Sequence, residues 1–93
     1  MHVIVTEGYG ITNVYSVEAV EEVFDEVSDL FVEYDIINEE KSTNIRANIS
    51  KILLEKGPVV AAKSLARWVR EYGEGVDSYE KFEVVEVKTK EKV

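Results

Sequence analysis

Residues 16–34, SVEAVEEVFDEVSDLFVEY, restrict the possible folds most tightly, because one helical period there carries two opposed surfaces. Val20, Val23, Phe24, Val27, Leu30, Phe31 and Tyr34 recur at three- and four-residue spacing, which places them on one stripe of an α-helix. At about 100° per residue, Glu18, Glu21, Glu22, Asp25, Glu26, Asp29 and Glu33 fall on the other arc, with no Lys or Arg among them. Ser16 stands where an N-cap hydroxyl belongs, and Glu18 follows where the helix dipole favours negative charge. The i,i+4 pairs Glu18/Glu22, Glu21/Asp25, Glu22/Glu26, Asp25/Asp29 and Asp29/Glu33 are all repulsive, at roughly 0.2–0.5 kcal/mol each. Such a helix must be held by its buried face or by cations from elsewhere.

Elsewhere the charge is laid out in blocks. Residues 1–40 hold eleven acids and no Lys or Arg, residues 41–72 seven bases and two acids, and residues 73–93 six acids and four bases, for a formal net charge of −8. A chain of 93 residues is expected to form a single domain over residues 1–93, with one modest core and a frayed end from Lys90 to Val93. The absence of Cys excludes disulfides, zinc–thiolate sites and thiol nucleophiles. The longest apolar runs, such as Val59–Ala62, are too short for a bilayer, and the amino end lacks the pattern of a signal peptide. A cytoplasmic protein with no membrane partner is the expectation. Gln is absent while Val, Ile, Glu and Lys abound, a usage expected of proteins from hot environments.

The remaining elements follow from period and punctuation. His2–Thr6 and Ile11–Tyr15 are β-branched or aromatic segments around Glu7-Gly8-Tyr9-Gly10, which predicts a hairpin. No helix follows Gly8-Tyr9-Gly10 directly, so these glycines predict a plain turn rather than a phosphate cradle. Asp35–Thr43 is a polar connection without calcium-loop spacing. Ser42, Thr43 or Asn44 then caps a second helix reaching Lys56, with Ile45, Ile49, Ile52 and Leu53 as its buried stripe. Gly57 ends it and Pro58 opens a third helix to Tyr72, with Ala61, Ala62, Leu65, Ala66, Val69 and Tyr72 on its apolar arc and Trp68 at the border. The Gly57-Pro58 corner is too tight, and the third helix too apolar, for a helix-turn-helix DNA reader. Gly73 and Gly75 break the chain before a strand over Tyr79–Thr89, where the change of parity between Val84 and Val85 predicts a bulge or burial on both faces. The fold class is therefore α+β: a small antiparallel sheet made of the N-terminal hairpin and the C-terminal strand, with three helices on one face, in the order β-β-α-α-α-β.

Little in the chain supports catalysis. His2 is the only His, and the serines have neither a His nor an elbow-like glycine setting to activate them. The carboxylates of the first helix belong on a solvated face, where water opposes the pKa separation that acid–base work needs. No cofactor and no metal are expected, and the chain reads as a non-enzyme. The primary expectation is a protein-binding module, a small acidic regulator or inhibitor, that offers Glu18, Glu21, Glu22, Asp25, Glu26, Asp29 and Glu33 to a basic protein surface. The density of these carboxylates resembles that of a run of phosphates. An alternative is nucleic-acid binding through Arg46, Lys51, Lys56, Lys63, Arg67 and Arg70, with Trp68 or Tyr72 stacking on bases, which the net charge opposes. A third reading is structural: the basic helices offset the acidic one within the fold, or across a homo-oligomer in which unlike faces stack.

Overall fold

The structure is a computed structural model that describes residues 1–73 and 79–88. Its order is β1 (His2–Gly8), β2 (Ile11–Ser16), a 3-10 turn (Val17–Ala19), α1 (Val20–Glu33), α2 (Glu39–Lys56), α3 (Pro58–Tyr72) and β3 (Lys81–Glu86). This is the α+β fold and the element order expected from the sequence. The sheet is antiparallel, with β1 between β2 and β3.

The hairpin is tighter than its composition predicts. β1 runs on to Gly8, and the turn is Tyr9-Gly10 alone, both at positive φ (54° and 75°), as a two-residue connection with the right twist requires. β3 pairs with β1 residue for residue from His2↔Glu86 to Glu7↔Lys81, so there is no bulge at Val84 and Val85. Their parity change reflects partial burial on both faces. β3 ends at Glu86, Tyr79 precedes it, and Thr89, Gly75 and the expected frayed end lie outside the described residues.

Ser16 caps the 3-10 turn, its hydroxyl accepting from the Glu18 N–H at 3.2 Å, and the α-helix proper starts only at Val20. Tyr34, expected on the apolar stripe, is 51% exposed, because α1 ends at Glu33 and Asp35 turns the chain at φ 60°. The chain then folds back: the Ile36 and Ile37 N–H groups donate to the Phe31 carbonyl, and Ile37 is buried. That tuck shortens the connection, so α2 begins earlier than expected. Its cap is Asn38, whose Oδ1 accepts from the Lys41 N–H at 2.8 Å, not Ser42, Thr43 or Asn44. Gly57 joins α2 to α3 at φ 91°, ψ 172°, with Pro58 in the first turn, as the Gly-Pro pair predicts.

The core lies between the helices and one sheet face. Ile4, Thr6 and Phe82 line that face, against Val20, Val23, Phe24, Val27 and Phe31 of α1 and Ala61, Ala62, Leu65, Ala66 and Val69 of α3. Trp68 is buried too, with ring centroids 5.6 Å from Phe24, 5.2 Å from Phe31 and 5.8 Å from Tyr72. α2 contributes one fully buried side chain, Ile49, with Ile45, Ile52 and Leu53 half-buried around it. Among the described residues no helix is long and apolar enough to cross a membrane.

Candidate functional site

The acids of the first helical segment divide into three groups. Glu18 sits in the 3-10 turn, where its carboxylate accepts from the Ser16 hydroxyl at 2.5 Å. Glu21 and Asp25 turn toward α2: Ser50 Oγ donates to Glu21 at 2.6 Å, and the Arg46 guanidinium donates to Asp25 at 3.2 Å. Glu22, Glu26, Asp29 and Glu33 remain, none of them within ion-pair distance of a base among the described residues. Both members of the Arg46–Asp25 pair are substantially exposed, at 40% and 56% of the side chain, so it adds at most about 1 kcal/mol and leaves the ridge strongly negative.

Below the exposed acids, α1 and α2 enclose a groove. Its end toward the α1 C-terminus is lined by Ser28, Asp29, Val32, Glu33, Glu39 and Ser42 around about 470 Å³ of space. Halfway along, the Ser28 and Ser42 hydroxyls hydrogen-bond across the groove. Glu39 and Glu40, in the first turn of α2, thus extend the negative surface past the end of α1. Glu39 was not among the residues expected to form the face. Its signal was local, since Asn-Glu-Glu is an N-cap followed by two dipole-favoured acids.

The expected basic patch is split. Arg46 points to α1, and Lys51 is exposed on α2. Lys63, Arg67 and Arg70 lie along the other side of α3, beside Glu83 in a recess of about 300 Å³ against β3. The Arg70 guanidinium donates to the Phe82 carbonyl at 3.1 Å, docking α3 on the strand. Of the two aromatics, Trp68 is withheld from a base by burial, whereas Tyr72 is 39% exposed. Trp68 is 8% exposed, and the Lys41 ammonium lies 4.6 Å from the centroid of the Tyr72 ring.

Two phenols are perturbed where the acid ridge meets the sheet. Burial, and secondarily the charge of Glu26, raise the Tyr15 phenol above its ordinary value. The same two causes in the same order, with Tyr15 third, push Tyr79 up to about 12. Among the described residues no group of three or more His, Asp or Glu is placed to hold a metal ion. Compared with known proteins, the chain matches no family model, no curated protein and no solved structure.

Proposed function

We propose that this chain is a non-catalytic binding module that docks on a basic surface of another protein through Glu22, Glu26, Asp29 and Glu33 of α1, extended by Glu39. The observation that carries the proposal is the pairing pattern: of the acids on α1, Asp25 alone meets a base among the described residues. Two further points support it. The four acids repel one another along the helix, and Glu33 lies at the C-terminal end, where the helix dipole disfavours negative charge and the last turn holds no base. Acids at such positions cost stability, and a cationic partner offsets that cost. The field of a ridge with one sign also accelerates encounter with an oppositely charged surface and makes binding weaken with salt. A small regulator or inhibitor that occupies a basic groove on its target would work in this way.

Affinity capture from the native cell lysate, across a salt series, tests the proposal. The full chain is expected to retain a basic protein that elutes between about 100 and 500 mM salt. Neutralising the ridge with Glu22→Gln, Glu26→Gln, Asp29→Asn and Glu33→Gln together should abolish retention without unfolding the chain. Retention unchanged by these substitutions, or lost instead on Lys63→Ala with Arg67→Ala, refutes it. Asp25 is left intact because its charge is engaged by Arg46.

A further inference from the structure

The two edges of the sheet are built differently. β3 carries Lys81, Glu83 and Glu86, and charge along an edge deters pairing with another chain. β2, at the opposite edge, reads ITNVYS, with no charge, no Pro and an unbroken register against β1. It lies in an uncharged run from Gly8 to Val17, although 32% of the chain is charged. The molecule measures 52 × 34 × 18 Å, and the shortest dimension has room for one helical layer on one sheet, which leaves the second face of the sheet uncovered by the described residues. On that face, directly paired, stand Val5 and the 60%-exposed Val14, with Val3 opposite Val85 beside them.

Hairpin geometry identifies the free backbone groups. A two-residue turn makes its flanking residues, Gly8 and Ile11, a hydrogen-bonded pair. Alternation along the ladder then aims the N–H and C=O of Ile11, Asn13 and Tyr15 at β1, and those of Thr12, Val14 and Ser16 away from it.

We propose that β2 is a self-pairing edge, through which two copies of this chain join antiparallel about a two-fold axis at Val14 into one six-stranded sheet. Val14 exchanges both backbone hydrogen bonds with the partner's Val14, and the Thr12 carbonyl accepts from the N–H of the partner's Ser16, with the reciprocal bond by symmetry. Side chains agree with this register. The Val5–Val14 pair meets its own image and forms a continuous valine row across the uncovered face. Thr12 stands beside the partner's Ser16, a favourable cross-strand pair. A second copy is the occupant because the contact is isologous and sets a neutral strand against a neutral strand, whereas a charged peptide finds no charge at this edge to recognise. A strand of about 20 Å buries less than the roughly 1,200 Å² of a standard interface, so the dimer dissociates on dilution. α1 follows β2 after a single 3-10 turn, so pairing brings the two acidic helices to one side of the joined sheet. Salt therefore strengthens this association, the reverse of its effect on a basic partner, and the two proposals fail separately.

Sedimentation equilibrium of the full chain from about 10 μM to about 1 mM should show a monomer–dimer equilibrium that tightens as salt rises from about 50 to 500 mM. Val14→Lys places like charges on the axis and should weaken association by about tenfold or more, with unfolding unchanged because Val14 is exposed. Glu86→Gln, on the other edge, should leave association as it was. Because the chain has no Cys, single cysteines report the register. Val14→Cys puts two thiols on Cα atoms about 5.5 Å apart, within disulfide reach. Thr12→Cys leaves its pair about 13 Å apart along the strands. Oxidation should give a covalent dimer of the first variant only. A monomer at every concentration and salt overturns the proposal and returns the edge to a foreign strand; equal cross-linking of both variants, or an unchanged association constant in Val14→Lys, overturns it as well.

Discussion

At Gly73 the chain leaves α3 through a gap that admits no side chain. A Cβ there would sit 2.5 Å from the Val69 carbonyl oxygen and 2.9 Å from Phe31 Cζ, so Gly73→Ala must displace either the end of α3 or a fully buried ring. A loss of about 1–3 kcal/mol is expected in urea unfolding. Gly57→Ala should cost a similar amount for a different reason. Nothing lies within 4 Å of a Cβ at Gly57, but its φ of 91° with ψ of 172° is a backbone region that residues with a Cβ occupy only under strain, at about 1–3 kcal/mol. Tyr79 gives a prediction in pH. Its pKa, about 12, is raised above the ordinary 10.0 by burial first and then by the negative charge of Glu26 and the neighbouring Tyr15. The fold therefore favours the protonated phenol. The stability linked to it is complete below pH 10 and is lost as pH rises through 12. Tyr79→Phe keeps a ring against Phe31 and Phe82, at 6.4 and 5.8 Å, and should flatten the fall in urea midpoint over that window.

Among the elements, α1 is held by its apolar face against electrostatics that oppose it. Glu33→Lys removes the repulsion from Asp29 and puts a cation at the end of a helix that has no base in its last turn. It should stabilise the chain by roughly 0.5–1 kcal/mol, visible as a higher Tm. A lower Tm would mean that Glu33 is engaged within its own molecule. The sequence made this helix legible because Val20 to Phe31 keep strict helical spacing, and it made the α2–α3 joint legible because Gly57-Pro58 is a local signal. It was less informative wherever tertiary packing decides. Trp68 stands at the border of the α3 stripe in a helical projection, yet is buried, because an indole is long enough to reach over Phe24 and Phe31 on the neighbouring helix. The start of α2 differs from the expected one because Asn38 competes with three other good caps in Ser42, Thr43 and Asn44. What selects Asn38 is Ile37 folding back onto the end of α1, a non-local event. The candidate face was legible only as a surface of one charge sign along α1. That Asp25 is the α1 acid that meets a base among the described residues depends on which α2 residues face α1, and Arg46 carries no mark of that in its own neighbourhood.

For the molecule as a whole, the blocks of charge along the chain become regions in space. Acids gather on α1 and the first turn of α2, while Lys63, Arg67 and Arg70 line the far side of α3 beside β3. Cross-helix compensation among the described residues is limited to Arg46–Asp25, against a run of i,i+4 repulsions on α1 and a net charge of −8. Salt screens both the attraction and the repulsions over a Debye length of about 8–10 Å near physiological strength, so the sign of its effect on stability shows which dominates. One exposed pair is worth at most about 1 kcal/mol and the median is well below that, whereas the four i,i+4 repulsions within α1, at roughly 0.2–0.5 kcal/mol each, together come to about 0.8–2 kcal/mol. The Tm of the monomer, measured at low micromolar concentration, should therefore rise as NaCl increases from about 10 mM to about 300 mM, and Arg46→Ala should change its slope little. A Tm that falls with salt would show that the bases of the middle segment already neutralise the ridge, leaving no uncompensated charge with which to hold a basic partner.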